Sequence, residues 1–301
     1  MTLKVFGVAA LALAVSLGAF AETPVETPTV EPAITAAEAQ ADPANWRKIA
    51  PENLFVFETT KGRILIEAFP EVAPKHYQQF STLVRSGDYA GTSFHRVING
   101  FMAQGGDIFA LHNRESGLPD IPGEFTFKRD PNAMKMDAMI GPEDSAPHGY
   151  LNGFPMATQP LFLSEMNTDG LLETYIPHCR GIVSTARTSD PNSANSQFFL
   201  MRDHSPHLDR QYTAWGRVVE GEDVVLAIKA GSQSLNGAVV DPDILKSTAV
   251  ASDLPEDERP EAWSLRTDGP QFAAQLAEVI ASSNSGEPHI CSLSSVPTVS
   301  K

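Results

Sequence analysis

The segment from Phe94 to Asp107, FHRVINGFMAQGGD, constrains the fold of this chain more than any other part of its sequence. Strand-forming residues lie on both sides of Asn99-Gly100, a dipeptide that suits a tight hairpin turn. Arg96 precedes the turn, and Gln104 follows it among bulky apolar residues. The pattern therefore predicts a hairpin on which a guanidinium and an amide face an apolar wall.

Other parts of the chain have strand and helix patterns of ordinary length. Strands are predicted at residues 54–58, 63–67, 93–97, 101–104, 181–185, 197–201 and 213–219. Helices are predicted from Pro74 to the Ser86-Gly87 stop signal and over residues 222–230. This mixture predicts a mainly antiparallel β fold with few helices.

The first 21 residues are typical of an export signal peptide. Lys4 precedes an apolar stretch that ends at Ala19-Phe20-Ala21, and small residues of this kind mark a cleavage site. The alternative is a membrane anchor, but a spanning helix needs roughly 20 apolar residues, and this stretch is shorter. We expect cleavage after Ala21 and, because no second apolar run is long enough, no membrane span in the mature chain.

Residues 22–49 are predicted to form a disordered linker. The segment is rich in Pro, Thr, Ala and Glu, and such a composition buries too little apolar surface to fold. Over the whole chain, 22 Lys and Arg residues against 37 Asp and Glu residues give a net charge of −15. A field of this sign repels phosphate backbones, so nucleic acid is excluded as a partner.

Two segments extend the main domain, which is predicted at residues 50–253. The first is an insertion at about 112–177, crowded with Pro, Gly, Asp, Asn and Met and without a sustained period. It has the composition of long loops, yet a structureless run of this length is rare, which favours some local structure or a binding role. The second is a C-terminal extension, residues 254–301, with one amphipathic helix that begins near Asp268 and Pro270. Its apolar face is formed by Phe272, Leu276, Val279 and Ile280.

Cysteine and histidine usage leaves two questions of chemistry open. Cys179 and Cys291 are the only cysteines, and an exported protein meets conditions in which they could form a disulfide. Two separate thiols are an equal alternative, because the sequence does not show whether the residues lie close together. The eight histidines lack metal-site spacing, so neither a catalytic metal nor another cofactor is expected.

A second run, SANSQFFLM at residues 193–201, contains adjacent aromatic residues that must point to opposite faces of a strand. Together with FHRVINGFMAQGGD and, in order, GIVSTAR, HLD and WGRV, it resembles the cyclophilin family of peptidyl-prolyl isomerases over about residues 53–253, apart from the insertion. The resemblance implies a closed eight-stranded antiparallel β-barrel capped by two helices. It also implies catalysis of rotation about X-Pro bonds, which needs no nucleophile, metal or cofactor.

The resemblance assigns a role to each residue that matches the family pattern. Arg96 would be the catalytic guanidinium, and Gln104 its hydrogen-bonding neighbour. The pocket for the proline ring would consist of Phe101, Met102, Phe199 and Leu208, with Ala186 and Gln197 along the peptide groove and His207 and Tyr212 at the rim. An arginine suits this reaction because it never loses its charge and presents fixed donors.

Four positions depart from the family pattern. Asn99 stands where a proline is usual, Arg187 where many eukaryotic members have asparagine, and Tyr212 near a pocket histidine of the best-known members. His207 replaces the tryptophan or phenylalanine common at the rim. We therefore expect weak binding of cyclosporin-type inhibitors.

The expected substrates are unfolded or newly exported polypeptides that contain X-Pro bonds, most plausibly in a bacterial periplasm. The alternative is a periplasmic chaperone or assembly module in which the insertion and the C-terminal extension bind clients and catalysis is incidental. An attachment of the chain to the cell envelope is compatible with either hypothesis.

Overall fold

The computed structural model describes residues 34–142, 145, 148–282, 288–293 and 295–301. The predicted signal peptide and the first part of the predicted linker lie outside these residues. Within them, no helix has the length and the apolar character needed to cross a bilayer.

Sixteen strands and six α-helices are formed by the described residues. The strands are β1 (Trp46–Lys48), β2 (Leu54–Thr59), β3 (Arg63–Ala68), β4 (Arg96–Ile98), β5 (Met102–Gly105), β6 (Phe127–Arg129), β7 (Ala138–Ile140), β8 (His148–Leu151), β9 (Phe154–Thr158), β10 (Leu172–Tyr175), β11 (Ile182–Thr185), β12 (Phe198–Met201), β13 (Ala214–Glu220), β14 (Leu245–Val250), β15 (Ala262–Leu265) and β16 (Thr298–Ser300). The helices are α1 (Ala36–Ala41), α2 (Pro74–Ser86), α3 (Ile108–His112), α4 (Leu163–Met166), α5 (Glu222–Ala227) and α6 (Pro270–Ser282).

The largest sheet has eight antiparallel strands in the order β14-β2-β3-β13-β11-β12-β5-β4. It curls until its two edges meet: isolated bridges join Ser93 to Ile244 and Arg96 to Ala238, both in the segment that leads into β14. The predicted mainly antiparallel β fold is confirmed. These bridges are isolated, and the strand pairs of the described residues contain no ladder between β4 and β14, so the eight strands form a curled half-barrel.

The two faces of the curled sheet bury different side chains. Phe198 on β12 packs inside with Phe57 and Trp215, whereas its neighbour Phe199 packs outside with Met102. The expectation that the two phenylalanines point to opposite faces is therefore confirmed. Helix α2 covers the inner cluster with Phe80, which is fully buried.

The insertion forms a separate antiparallel sheet of five strands in the order β6-β10-β9-β8-β7. The predicted local structure is therefore confirmed, and the binding role stays a prediction. The strands are only three to five residues long, too short for a period of two to be visible in the sequence. Their buried side chains belong to the same cluster as Phe199 on the outside of the large sheet.

The predicted linker was extended too far, because residues 34–49 are structured. Helix α1 begins with a capping box between Thr35 and Glu38, and β1 pairs with β15 of the C-terminal extension. Trp46 is 4% exposed. This structure could not be predicted from local residue patterns, because the residue that pairs with Trp46 is Leu265, more than 200 residues away.

The C-terminal extension packs against the rest of the chain. Helix α6 is confirmed, with Phe272 and Leu276 buried, but Val279 on the predicted apolar face is 44% exposed. Strands β15 and β16 complete a three-stranded sheet with β1. Cys291 forms a disulfide with Cys179, which settles the alternative that the sequence left open.

A buried charge network joins the large sheet to the added segments. Glu67 on β3 lies 2.8 Å from Nη2 of Arg217 on β13 and 2.7 Å from Nη1 of Arg47 on β1. Arg217 also donates to Ser264 Oγ on β15 at 2.7 Å. At Gly153, φ is +78°, and a Cβ would lie 2.8 Å from Arg217 Nη2, so the position requires glycine. We call the insertion, β1, α1 and the C-terminal extension the accessory body.

Candidate active site

Strand register brings the predicted catalytic residues together. Arg96 lies opposite Gln104 in the β4–β5 pair, and Gln104 lies opposite Phe199 in the β5–β12 pair. Residues directly opposite one another in antiparallel strands share a face of the sheet. A row of cation, amide and aromatic ring therefore crosses three strands on the outside of the large sheet.

The guanidinium of Arg96 is held by neutral acceptors. Nη1 donates to Gln104 Oε1 at 3.3 Å, Nε donates to the carbonyl oxygen of Asn236 at 3.0 Å, and Nη2 donates to Asn236 Oδ1 at 3.1 Å. Arg96 forms no salt bridge with any described residue, and its side chain is half-buried. Its charge is thus oriented but not neutralised, and because Nη1 also contacts Met102 Sδ at 3.9 Å, one of its five N–H donors has no partner among the described residues.

A relay of amides orients Gln104. Gln197 Nε2 donates to Asp107 Oδ2 at 2.9 Å, and Gln104 Nε2 donates to Gln197 Oε1 at 2.8 Å. A carboxylate only accepts, so Asp107 requires the NH₂ group of Gln197, and this in turn directs the NH₂ group of Gln104 toward Gln197. The oxygen of Gln104 is left to accept from Arg96.

The predicted pocket residues lie together beside Arg96 as one group of apolar side chains. Phe101 lies 6.0 Å from Arg96 Cζ, measured to its ring centre, and its ring is 5.5 Å from that of His207. Phe199 packs edge-on against Tyr212, with 5.7 Å between ring centres. Met102 and Leu208 complete the wall, and both are buried. These contacts group the predicted pocket residues beside Arg96, with His207 exposed at their edge.

The groove continues along β11 and β12. A cavity of about 340 Å³ is lined by Gln104, Gln197 and Ala186, which places the two predicted groove residues beside the catalytic row. Arg187 borders the groove, and its guanidinium carbon lies 4.4 Å from the ring centre of Tyr212. Its Nε and Nη2 donate to the carbonyl oxygen of Gln211, so this arginine holds the rim together.

Sequence reasoning missed two supports of the site. Asn236 follows a 3-10 turn (Gln233–Leu235), has a φ of 53°, and holds Arg96 as described above. The turn signal Asn236-Gly237 was visible in the sequence, but nothing linked it to Arg96. The second support is His178, which stacks on Phe199 with 6.1 Å between ring centres.

His178 is fixed by two hydrogen bonds behind the pocket. Its Nδ1 lies 2.9 Å from Asp209 Oδ1, and its Nε2 lies 2.9 Å from Ser184 Oγ. Because a carboxylate only accepts, Nδ1 donates to Asp209 and Nε2 of the neutral ring accepts from the serine hydroxyl. These are the contacts of a Ser-His-Asp hydrolase. Ser184 is 0% exposed, however, so no substrate can reach its hydroxyl and the three residues support Phe199 instead.

Three histidines meet outside the pocket. His289 lies 4.9 Å from His148 and 4.7 Å from His204, measured between ring centres. Burial, followed by the charge of His289, lowers the pKa of both His148 and His204. Cys291 Sγ is near enough to join His204 and His289 as a metal ligand, but a thiolate is the form that binds metals, and the disulfide with Cys179 removes it. The cluster lies apart from Arg96 and takes no part in the site.

The fold and the site together define an enzyme that acts on peptide bonds by binding rather than by covalent chemistry. The oriented guanidinium of Arg96 lies beside the ring of Phe101 and its apolar neighbours. Ser184, which has the hydrogen-bond partners of a nucleophile, is fully buried. Comparison with known proteins identifies the family. The sequence model described as cyclophilin type peptidyl-prolyl cis-trans isomerase/CLD matches residues 54–250.

Relatives and a solved structure agree with that match. A probable peptidyl-prolyl cis-trans isomerase of Brucella abortus is 36% identical over 214 residues, 67% of this chain and 84% of the relative. A Streptomyces antibioticus isomerase is 30% identical over 204 residues, 64% of this chain and 95% of the relative. The crystal structure of the cyclophilin AquaCyp293 from Hirschia baltica has a TM-score of 0.82 and 45% identity, and the match covers 90% of this chain and 98% of that one.

The chain therefore belongs to the cyclophilin family, and it is a peptidyl-prolyl cis-trans isomerase. The predicted family, fold and activity are confirmed. The match to AquaCyp293 covers far more of the chain than the family model does, so it includes residues of the accessory body.

Proposed function

We propose that this chain isomerises X-Pro bonds in unfolded, newly exported polypeptides, with Arg96 as the catalytic residue. The observation that carries the proposal is the guanidinium of Arg96, which is oriented by Gln104 and Asn236, is not neutralised, and adjoins the pocket at Phe101. The exported leader that the sequence predicts and the Cys179–Cys291 disulfide support an oxidising compartment such as a periplasm.

The reaction requires that the enzyme bind a twisted peptide bond better than a planar one. Rotation costs about 18–20 kcal/mol because the nitrogen shares its lone pair with the carbonyl. In the twisted state that lone pair is localised on the proline nitrogen and can accept a hydrogen bond. Arg96 donates to it, or to the carbonyl of proline, while Phe101, Met102 and Phe199 hold the ring. Because the donor is already oriented, little reorganisation accompanies the rotation.

The groove favours a broad range of substrates. Beside the pocket it offers the amides of Gln104 and Gln197 and the small side chain of Ala186, which suit backbone recognition. His207 at the rim encloses the pocket less than the larger indole ring of a tryptophan would. It is exposed, and its ring is tilted against that of Phe101. For this reason we propose that cyclosporin-type inhibitors bind weakly.

Isomerisation of short peptides tests the role of Arg96. We expect Arg96→Ala to lower kcat/KM for an X-Pro peptide roughly 10²- to 10³-fold, the loss typical of removing one oriented donor. Arg85→Ala is the matched control, because Arg85 is exposed on α2 and pairs with Asp253 far from the pocket. Equal rates for Arg96→Ala and wild type, with unchanged circular dichroism, would contradict the proposal.

A second candidate function is client binding by the accessory body. Helix α4 and the residue before it present Phe162, 50% exposed, and Met166, 72% exposed, which could hold unfolded segments. The variant Phe162→Ser/Met166→Ser would then fail to suppress aggregation of an unfolding client, although it would isomerise short peptides at the wild-type rate. If this double variant suppresses aggregation as wild type does, α4 is not a client site.

A further inference from the structure

The five-stranded sheet of the accessory body carries a cavity of about 270 Å³. It shares no lining residue with the proline pocket or its groove. Its polar lining includes Arg129, Lys135, Asn132 and Gln159, and its apolar lining includes Met136 and Leu172. A cavity of this size is near the lower end of the range for small-ligand sites.

Arg129 is 4% exposed, and all its partners are neutral. Nη1 donates to the carbonyl oxygen of Met134 at 2.8 Å, while Nε and Nη2 donate to the hydroxyls of Thr174 and Thr158, each at 3.3 Å. It forms no salt bridge with any residue in the described part of the chain. Burial lowers the pKa of Arg129, and only its exposed neighbour Asp130 opposes this effect. Three of the five N–H donors are used, which leaves two without a described partner.

The other two deeply buried arginines of the described residues each meet a carboxylate or the negative end of a helix, although Nε of Arg202 is left without a partner. Arg217, 5% exposed, is paired with Glu67 at 2.8 Å. Arg202, 8% exposed, donates to the carbonyl oxygens of Leu226 and Ile228 at the end of α5, where the helix dipole is negative. Arg129 has neither kind of compensation. A buried charge without a partner is costly, so a ligand that supplies the missing anion would bind with a large gain.

Charge and polarity of the cavity indicate the class of ligand. The chain as a whole carries a net charge of −15, yet this cavity is lined by two cations and, among the described residues, by no carboxylate. Met136, 6% exposed, and the half-buried Met139 and Leu161 supply its apolar lining. We propose that this cavity binds a small organic anion with an apolar body, such as a medium-chain carboxylate.

In this arrangement the two parts of the ligand meet different walls. The carboxylate accepts from the guanidinium of Arg129, whose planar donors match its two oxygens, and Lys135 closes the rim with a second charge. The hydrocarbon part lies along Met136, Met139 and Leu161. The site is independent of X-Pro isomerisation, because Arg96 and its pocket lie on the other sheet.

Titration calorimetry and thermal melting of the full chain test the proposal with three probes. Octanoate supplies both charge and chain, acetate only the charge, and 1-octanol only the chain. Octanoate is expected to bind wild type and raise its Tm, and to bind at least about tenfold more tightly than either other probe. No binding of octanoate would overturn the proposal. If octanol bound as tightly as octanoate, the claim that the ligand is an anion would be overturned. If acetate bound as tightly, the claim that the ligand has an apolar body would be overturned.

Variants show whether binding occurs at this cavity. Lys135→Ala is expected to raise the Kd for octanoate roughly three- to tenfold, as for the loss of one charge-assisted contact. Lys128→Ala is the matched control: it also removes an exposed lysine, one residue before Arg129, but Lys128 pairs with Asp169 and does not line the cavity. Arg129→Met, where it folds, is expected to abolish binding. Wild-type affinity in Lys135→Ala would overturn the site, and because this residue is exposed its replacement does not endanger folding.

Discussion

The large sheet and the accessory body each hold an arginine among neutral acceptors, but they hold it at different depths. Arg96 is half-buried at an open pocket, whereas Arg129 is 4% exposed in the five-stranded sheet. Water still solvates Arg96 before a substrate arrives, so its free charge costs little until the peptide excludes that water. Arg129 carries the cost of desolvation at all times. We therefore propose different roles for the two arginines: catalysis for the accessible Arg96 and anion binding for the buried Arg129.

The two regions also differ in how the chain builds them. The large sheet uses β2–β5 and β11–β14, and seven continuous strand pairs join its eight strands edge to edge. The accessory body is assembled from three distant segments, and the Cys179–Cys291 disulfide and the Arg217–Glu67–Arg47 network connect it to the large sheet. Its stability should therefore depend far more on individual long-range links.

Removal of the disulfide tests this difference most strongly. The link closes a loop across a sequence separation of 112, and loss of a loop of this size costs about 2–5 kcal/mol of stability. We expect Cys179→Ser/Cys291→Ser to lower the denaturant midpoint accordingly. Short-peptide isomerisation should stay within about twofold of wild type at low temperature, because the row of Arg96, Gln104 and Phe199 needs only strand pairing within the large sheet.

The control for the disulfide variant is wild type treated with a reductant, which should reproduce both results. If kcat/KM for the short peptide fell in parallel with stability, the two regions would not be separable, and the comparison drawn above would be wrong.

His178→Ala tests whether the pocket depends on support from behind. The change leaves the buried hydroxyl of Ser184 without a partner, leaves Asp209 with only the backbone N–H of residue 178, and removes the ring that stacks on Phe199. We expect a loss of about 2–3 kcal/mol in unfolding free energy. With Phe199 free to move, KM for the X-Pro peptide should rise several-fold while kcat changes less. His112→Ala, at an exposed histidine, should alter neither value.

Glu124→Gln tests the smallest link between the regions. Glu124, from the insertion, accepts from the backbone N–H of Lys75 and of His76 and from His76 Nδ1, and so caps α2, whose own N-cap residue Ala73 has no acceptor side chain. Burial alone would raise the pKa of Glu124, but these hydrogen bonds lower it overall. A carboxylate with a lowered folded-state pKa contributes stability above its unfolded pKa and loses it as the pH falls through the folded value.

We therefore expect Glu124→Gln to destabilise the chain by about 1 kcal/mol at pH 7, the usual value of a helix cap. The difference should shrink as the pH falls through the lowered folded-state pKa of Glu124, where the wild-type carboxylate becomes protonated. Glu115→Gln, an exposed change in the same insertion, is the control. A difference between Glu124→Gln and wild type that grew at low pH would contradict the assigned cap.

Much of the large sheet, and helix α6 outside it, could be predicted because the residues that indicate each element lie close together in the sequence. The hairpin around Asn99-Gly100, the opposite faces of Phe198 and Phe199, and helix α6 all follow from residue type and period. The neighbours of Arg96 were less accessible. Gln104 lies eight residues away in the same hairpin, whereas Asn236 lies 140 residues away and could not be connected to Arg96 without the fold.

The family, the mainly antiparallel sheet and the residues proposed for the proline pocket could be recognised from the sequence, since these depend on motifs whose residues pair within short, regular strands. The contacts between those strands and the rest of the chain became apparent only in the folded protein. It paired β1 with β15, joined Cys179 to Cys291, placed His178 behind Phe199, and left Arg129 buried without an anion. The physical reason is the same in each case: contacts between distant segments leave no period in the sequence, and burial is a property of the assembled fold.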